Sequence, residues 1–109
     1  MTESPPEIAV EELDAWRRAG RDIAVLDVRE PWEIEICRLD GAISIPLTAL
    51  PGRLGEIPAD RVLVVLCHHG MRSRHAAAWL HQAGRTNAVN LAGGIDAWAR
   101  RIDPSMETY

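Results

Sequence analysis

The sequence has no apolar stretch long enough to cross a bilayer: its longest uninterrupted run, Val62 to Cys67, is far short of the roughly 20 residues a spanning helix needs. It has no basic run either. The arginines are scattered and the formal charge is -4, so neither nucleic acid nor an anionic membrane is an expected partner. No secretory leader is expected either, because Met1-Thr2-Glu3-Ser4-Pro5-Pro6-Glu7 is acidic and proline-bearing where a leader is basic and then apolar; a cytoplasmic location is expected. Cysteine is scarce. Cys37 and Cys67 lie far apart with no second thiol at metal-ligand spacing, which leaves no support for a zinc site or a disulfide framework. No metal and no cofactor are expected, and no internal repeat or low-complexity stretch occurs.

At 109 residues, 47% hydrophobic and 26% charged, the chain reads as one globular domain over residues 1–109, with its core at about 8–102 and a tail over 103–109. Leu13, Trp16 and Ala19 recur at helical spacing after the acidic turn Glu11-Glu12, and Gly20 stands where the helix ends. Ile23 to Leu26 is a short apolar strand that ends in Asp27-Val28-Arg29. Pro31 suits the first turn of a short helix through Ile36, and a strand is predicted over Ala42 to Ile45 before Pro46. Leu47, Leu50 and Leu54 suggest a helical turn or two. Val62 to Leu66, β-branched and wholly apolar, is the clearest strand and belongs at the centre of a sheet. A helix beginning near Arg74 carries Ala76, Trp79, Leu80 and Ala83 on one face and stops at Gly84. Ala88 to Leu91 is another strand, and Gly93-Gly94 turns into a last helix bearing Ile95, Trp98 and Ile102. Strands alternating with helices predict an α/β fold with a mainly parallel central sheet of about five strands and helices on both faces.

Ligands of open α/β sheets gather beyond the carboxyl ends of the strands. Cys67 sits at such an end, and Cys67-His68-His69-Gly70-Met71-Arg72-Ser73 runs directly into a helix whose first N–H groups have no intrahelical partner. Those amides, together with Arg72 and Arg74, favour an anion in the loop, and a thiolate is such an anion. Gly70 permits the backbone twist that turns amides inward.

This loop resembles the active-site loop of rhodanese-domain sulfurtransferases. The resemblance extends to Leu26-Asp27-Val28-Arg29-Glu30-Pro31-Trp32-Glu33, to Gly41-Ala42-Ile43-Ser44-Ile45-Pro46 and to Leu91-Ala92-Gly93-Gly94-Ile95-Asp96-Ala97-Trp98, four ordered blocks that span about Val10 to Arg101. It implies that Cys67 takes sulfane sulfur from a donor such as thiosulfate or a persulfide, holds it as a persulfide, and passes it to a thiol or cyanide acceptor, with a partner protein in a sulfur relay as a further possibility. His68, His69, Gly70, Met71, Arg72 and Ser73 would then line the substrate site, with the loop amides and the Ser73 hydroxyl stabilising the persulfide. Arg72, together with Arg74, would draw in an anionic donor.

Each of these residues also has a plainer reading. Cys37 is expected as a packed thiol, and His75 and His81 as solvated helix residues. His68 and His69 are adjacent, so their side chains are expected to diverge rather than share a metal. Asp27 and Arg29 share the active edge but are explained by a turn-capping aspartate and by an arginine paired to Glu30 or Glu33. Trp16, Trp79 and Trp98 fall on apolar helix faces, whereas Trp32 follows a strand end and is placed to line the pocket. Two rival functions come from related folds. A phosphatase or arsenate reductase needs an arginine where Ser73 stands, because the loop must clamp an oxyanion. A silent docking module usually lacks the cysteine. If Cys67 alone carries the chemistry, Cys37→Ser should keep most of the thiocyanate-forming rate measured with thiosulfate and cyanide.

Overall fold

The computed structural model describes residues 5–109. The expectation of no leader rests partly on residues 1–4, which lie outside the described residues. The chain runs β1 (Glu7–Ile8), α1 (Val10–Arg18), β2 (Ile23–Asp27), α2 (Pro31–Ile36), β3 (Ile43–Ser44), β4 (Val62–Leu66), α3 (Met71–Gln82), β5 (Ala88–Leu91) and α4 (Gly94–Arg101). Tight 3-10 turns at Leu47–Gly52 and Leu54–Glu56 fill the long connection between β3 and β4, in place of regular helix. Pro51, which has no N–H to give, sits inside the first of them.

The five strands form one sheet in the order β1-β5-β4-β2-β3, and every neighbouring pair is parallel. β1 is the strand without a sequence signal, since two residues are too few to show alternation. The predicted strand over Ala42 to Ile45 shortens to Ile43–Ser44, paired with Leu26 and Asp27. β4 is central and apolar on both faces: Leu63 and Val65 enter one core with Ala76, Ala77 and Leu80 of α3, while Val64 and Leu66 enter the other with Val10 and Leu13 of α1 and Ile95 and Trp98 of α4. Trp98 is buried, but Trp16 and Trp79 stay partly open and pack against opposite cores. Among the described residues no helix is long and apolar enough to cross a membrane.

The topology places the site. After β2 the chain turns outward to β3, and after β4 it turns the other way to β5. The two departing connections leave a crevice beyond the carboxyl ends of β2 and β4, the switch point at which such sheets bind ligands. Asp27-Val28-Arg29 leaves one side of that crevice and Cys67 the other, joined by Val28 N–H donating to the Leu66 carbonyl at 3.1 Å.

Arg29 is buried, and so is Asp27. The guanidinium pairs with Asp27, with Nη2 2.8 Å from Oδ2, and not with the Glu30 or Glu33 carboxylate that proximity in sequence suggests. It reaches Glu33 only at its backbone carbonyl, 3.2 Å from Nη1, and holds the Cys37 carbonyl at 2.7 Å from Nη2. Asp27 also accepts the Arg29 backbone N–H at 3.0 Å, so the turn-capping role expected of it is present. Replacing Arg29 by Met is expected to lower unfolding free energy by about 3 to 5 kcal/mol, read from urea titrations, because it strands a buried carboxylate and two carbonyls.

Candidate functional site

Cys67 follows β4 directly and is only 1% exposed, so the sulfur lies beneath the loop rather than at its mouth. Its Sγ accepts the Gly70 N–H at 3.1 Å and lies 3.3 Å from the Ser73 hydroxyl oxygen. Gly70, at φ 109°, turns that amide inward and caps α3, which starts at Met71 and not near Arg74. Met71, Arg72 and Ser73 therefore form the first helical turn instead of free loop. Ser73 and Gly70 are buried, whereas Met71 is 67% exposed and points away. Arg74 lies exposed on the same turn.

The amino terminus of α4 closes the loop from the other side. Ile95 N–H donates to the Cys67 carbonyl at 2.9 Å and Asp96 N–H to the His68 carbonyl at 3.0 Å. Gly94, at φ 60°, packs so tightly against those two carbonyls that a Cβ there would overlap them. Gly94 is thus a steric requirement of the loop as well as part of a helix start.

Arg72 does not stand free to clamp an anion. Its Nη1 and Nη2 donate to the two Glu33 carboxylate oxygens, both at 2.7 Å. The hydrogen bonds to Glu33 hold the guanidinium above the ordinary arginine range, burial opposes this, and the charges of Glu33 and Cys67 add to it. Part of its positive charge is thus already matched before any donor arrives.

Tyr109 packs onto the site, so the carboxyl-terminal residues are not a peripheral tail. Its hydroxyl donates to Glu33 Oε1 at 2.8 Å and accepts from Arg29 Nη1 at 3.0 Å. Burial and the bond to Glu33 push the phenol up to about 12, with Arg29 pulling the other way. The Tyr109 ring stacks on His68 at 3.9 Å between centroids, and His68 stacks on His69 at 4.0 Å. The adjacent imidazoles thus lie parallel and do not diverge. Trp32 meets Tyr109 edge-on at 5.7 Å but is itself 59% exposed, a rim residue more than a pocket wall.

His68, His69 and Asp96 bring three ligand-type atoms within 4.8 Å of one another. The two rings stack at an interplanar angle of 19°, His69 Nε2 lies 3.7 Å from Asp96 Oδ2, and Asp96 is also paired to Arg100 at 3.0 Å. Burial, then the neighbouring His69, pushes the His68 imidazole below its usual 6.5, with Asp96 and Glu33 pulling the other way.

The remaining expectations divide. Cys37 is buried, with Sγ 3.9 Å from Arg29 Nη1, the packed thiol its sequence position suggested. His75 is exposed, but His81 is half-buried and its Nε2 lies 2.7 Å from the Ala88 carbonyl, bonded to protein and not merely solvated. Asn90, Tyr109 and the pairing of Glu33 with Arg72 are not among the features the sequence points to directly. Asn90 had a signal, as the one polar residue of an otherwise apolar strand; the other two had none.

Comparison with known proteins agrees with this fold. The family model for the Rhodanese-like domain matches residues 9–101. A probable adenylyltransferase/sulfurtransferase MoeZ of Mycobacterium tuberculosis is 41% identical over 104 residues, covering 94% of this chain and 26% of the relative; the chain thus spans about a quarter of that relative's length. A sulfurtransferase of Allochromatium vinosum is 40% identical over 94 residues, with 86% of this chain and 88% of the relative covered. The crystal structure of a rhodanese-related protein from Thermoplasma volcanium superposes with a TM-score of 0.81 at 33% identity, covering 89% of this chain and 93% of that one.

The Arg72–Glu33 pair carries a pH signature. The hydrogen bonds from Arg72 draw the Glu33 carboxyl from its usual 4.5 down to about 2 against its own burial, with the Glu30 N–H and the Tyr109 hydroxyl assisting. A carboxylate depressed in the folded state stabilises fully above its unfolded value and loses that contribution as pH falls through the folded one. Wild-type stability should therefore drop between about pH 4.5 and pH 2. In Glu33→Gln that part of the slope is expected to vanish, with about 2 kcal/mol lost at neutral pH, both read from urea midpoints against pH.

Proposed function

The chain belongs to the rhodanese-like domain family, and from that premise we propose that it is a sulfurtransferase working through a persulfide on Cys67. The observation that carries this reading is the cradle around Sγ: an inward amide from Gly70 at 3.1 Å and a hydroxyl from Ser73 at 3.3 Å, at the carboxyl end of the central strand. Two of the relatives are named sulfurtransferases, which supports the same class of reaction.

In the first displacement the Cys67 thiolate attacks the outer sulfur of thiosulfate. The new S–S bond forms as the old one breaks, and sulfite leaves with the bonding pair. In the second, cyanide or a thiol attacks the outer sulfur of the persulfide, takes it, and returns Cys67 as thiolate. Charge is conserved in both steps. Because Glu33 already matches Arg72, donor binding relies on the loop amides more than on an arginine clamp. A protein persulfide and a relay acceptor fit the same two steps. The reading treats the domain as a single unit with its core at residues 8–102 and a cytoplasmic setting that keeps both thiols reduced.

The oxyanion-clamping rival loses support at Ser73, which occupies the clamp position as a buried hydroxyl held 2.5 Å from Asn90 Oδ1. The test is direct. Reduced wild type incubated with thiosulfate should gain one sulfur by intact mass and form thiocyanate on adding cyanide, and Cys67→Ser should do neither. Identical behaviour of the two proteins sinks the proposal.

A further inference from the structure

Ser73 has one hydroxyl proton and two neighbours to receive it. Its Oγ lies 2.5 Å from Asn90 Oδ1 and 3.3 Å from Cys67 Sγ. Which neighbour takes the proton depends on how the Asn90 amide is turned. Asn90 Nδ2 donates to the Glu7 carboxylate at 2.7 Å and to the Gly70 carbonyl at 3.2 Å. Two acceptors on that side require the NH2 group there, which leaves the amide oxygen facing Ser73. An amide oxygen only accepts, so the short bond commits the Ser73 proton to Asn90. What Ser73 then presents to Cys67 is a lone pair.

We propose that Asn90 is a positioning residue that sets the hydrogen-bond polarity of Ser73 and so holds the resting Cys67 sulfur as the thiol. In this arrangement the S–H donates to Ser73 Oγ while Sγ accepts from Gly70 N–H, and every group is satisfied. A thiolate has no proton to give and would meet the Ser73 lone pair. For the thiolate to be stabilised, the hydroxyl must rotate away from Asn90 and donate to sulfur, giving up the shorter bond. On ionisation the thiol proton goes to the solvent buffer. The nucleophile is thereby kept in its less reactive form between turnovers, and a change at the loop that turns the Ser73 hydroxyl releases it. Ser73 and Asn90 are both buried, so water does not stand in for either partner.

The other charged groups around the sulfur are Arg72 of α3 with Glu33 of α2 behind it, His68 and His69 of the loop with Asp96 of α4, and Glu7 of β1 behind Asn90. Of these, only Glu7 touches Asn90, and removing its negative charge would favour a thiolate without any rotor. The Ser73→Ala background separates the two causes, since a charge effect survives there and a rotor effect does not.

The role takes its meaning from the proposed sulfur transfer, but iodoacetamide alkylation of Cys67 reads it without any sulfur donor, so the two can fail separately. Alkylation rates should be followed against pH for wild type, Asn90→Leu, Ser73→Ala and the double variant, each carrying Cys37→Ser. Asn90→Leu frees the hydroxyl to donate to sulfur. It is expected to alkylate about 3- to 10-fold faster at pH 7, with a lower midpoint, and to have less than about a 2-fold effect in the Ser73→Ala background. An unchanged or higher midpoint, or an equal shift in both backgrounds, overturns the proposal. Should Asn90→Leu not fold, Glu7→Ala at the exposed anchor gives the same answer. It removes one of the two bonds that orient the amide and should shift the midpoint the same way by less, again only when Ser73 is present; no shift, or one that persists in Ser73→Ala, overturns it.

Discussion

A guanidinium buried with every N–H claimed is the constraint on which the site depends. Arg29 presents five donors in a fixed plane, and the fold supplies an acceptor for each direction: the Asp27 carboxylate, the Glu33 and Cys37 carbonyls, and the Tyr109 hydroxyl. Burial opposes its charge, but the bonds to Asp27 and Tyr109 outweigh that, and the group is held more firmly protonated than a free arginine. Taking such a charge out of water is affordable only with this complete set of partners. The acceptors come from the end of β2, from the middle and the carboxyl end of the α2 segment and from the chain's last residue, so satisfying one ion fixes four pieces of backbone.

Placing α2 in this way brings Glu33 up to Arg72. The Arg72 pair in turn holds the first turn of α3, and that turn carries Ser73 under the sulfur. From the far side, α4 grips the Cys67 and His68 carbonyls through the Ile95 and Asp96 amides. The loop is therefore held by ion pairing on one flank and by helix-terminal amides on the other. The Tyr109–His68–His69 stack lies across it. A loop braced this way can present the Gly70 amide to the sulfur at a fixed distance. Its polarity is then settled by a small buried group, the Asn90 amide, whose orientation is dictated by Glu7 and Gly70.

Much of the architecture is legible in the sequence. A wholly apolar Val62–Leu66 announces a strand covered on both faces, and the structure puts it at the centre of the sheet with alternate side chains in two cores. Cys67 is legible for the same reason, since a polar loop must begin where that run ends. Less was legible where the signal is short or distant. β1 has two residues and no periodicity, and α3 gains three residues because Gly70 adopts a left-handed conformation that spacing alone does not reveal. Arg29 was assigned a carboxylate within the next turn, but the buried Asp27 on its own strand end offers the shorter and drier path.

The sequence by itself determined the α/β class, most of the order of elements and the place of Cys67 at a strand end, because these follow from local periodicity. The tertiary structure alone decided which charges cancel and which way protons point. Arg72 is 39 residues from Glu33, and Arg29 is 80 from Tyr109. Pairings over such separations are selected by how whole elements pack, not by any neighbouring residue. The same holds for Ser73: its identity is written in the chain, but whether it gives or receives a hydrogen bond depends on an amide that strand pairing sets beside it.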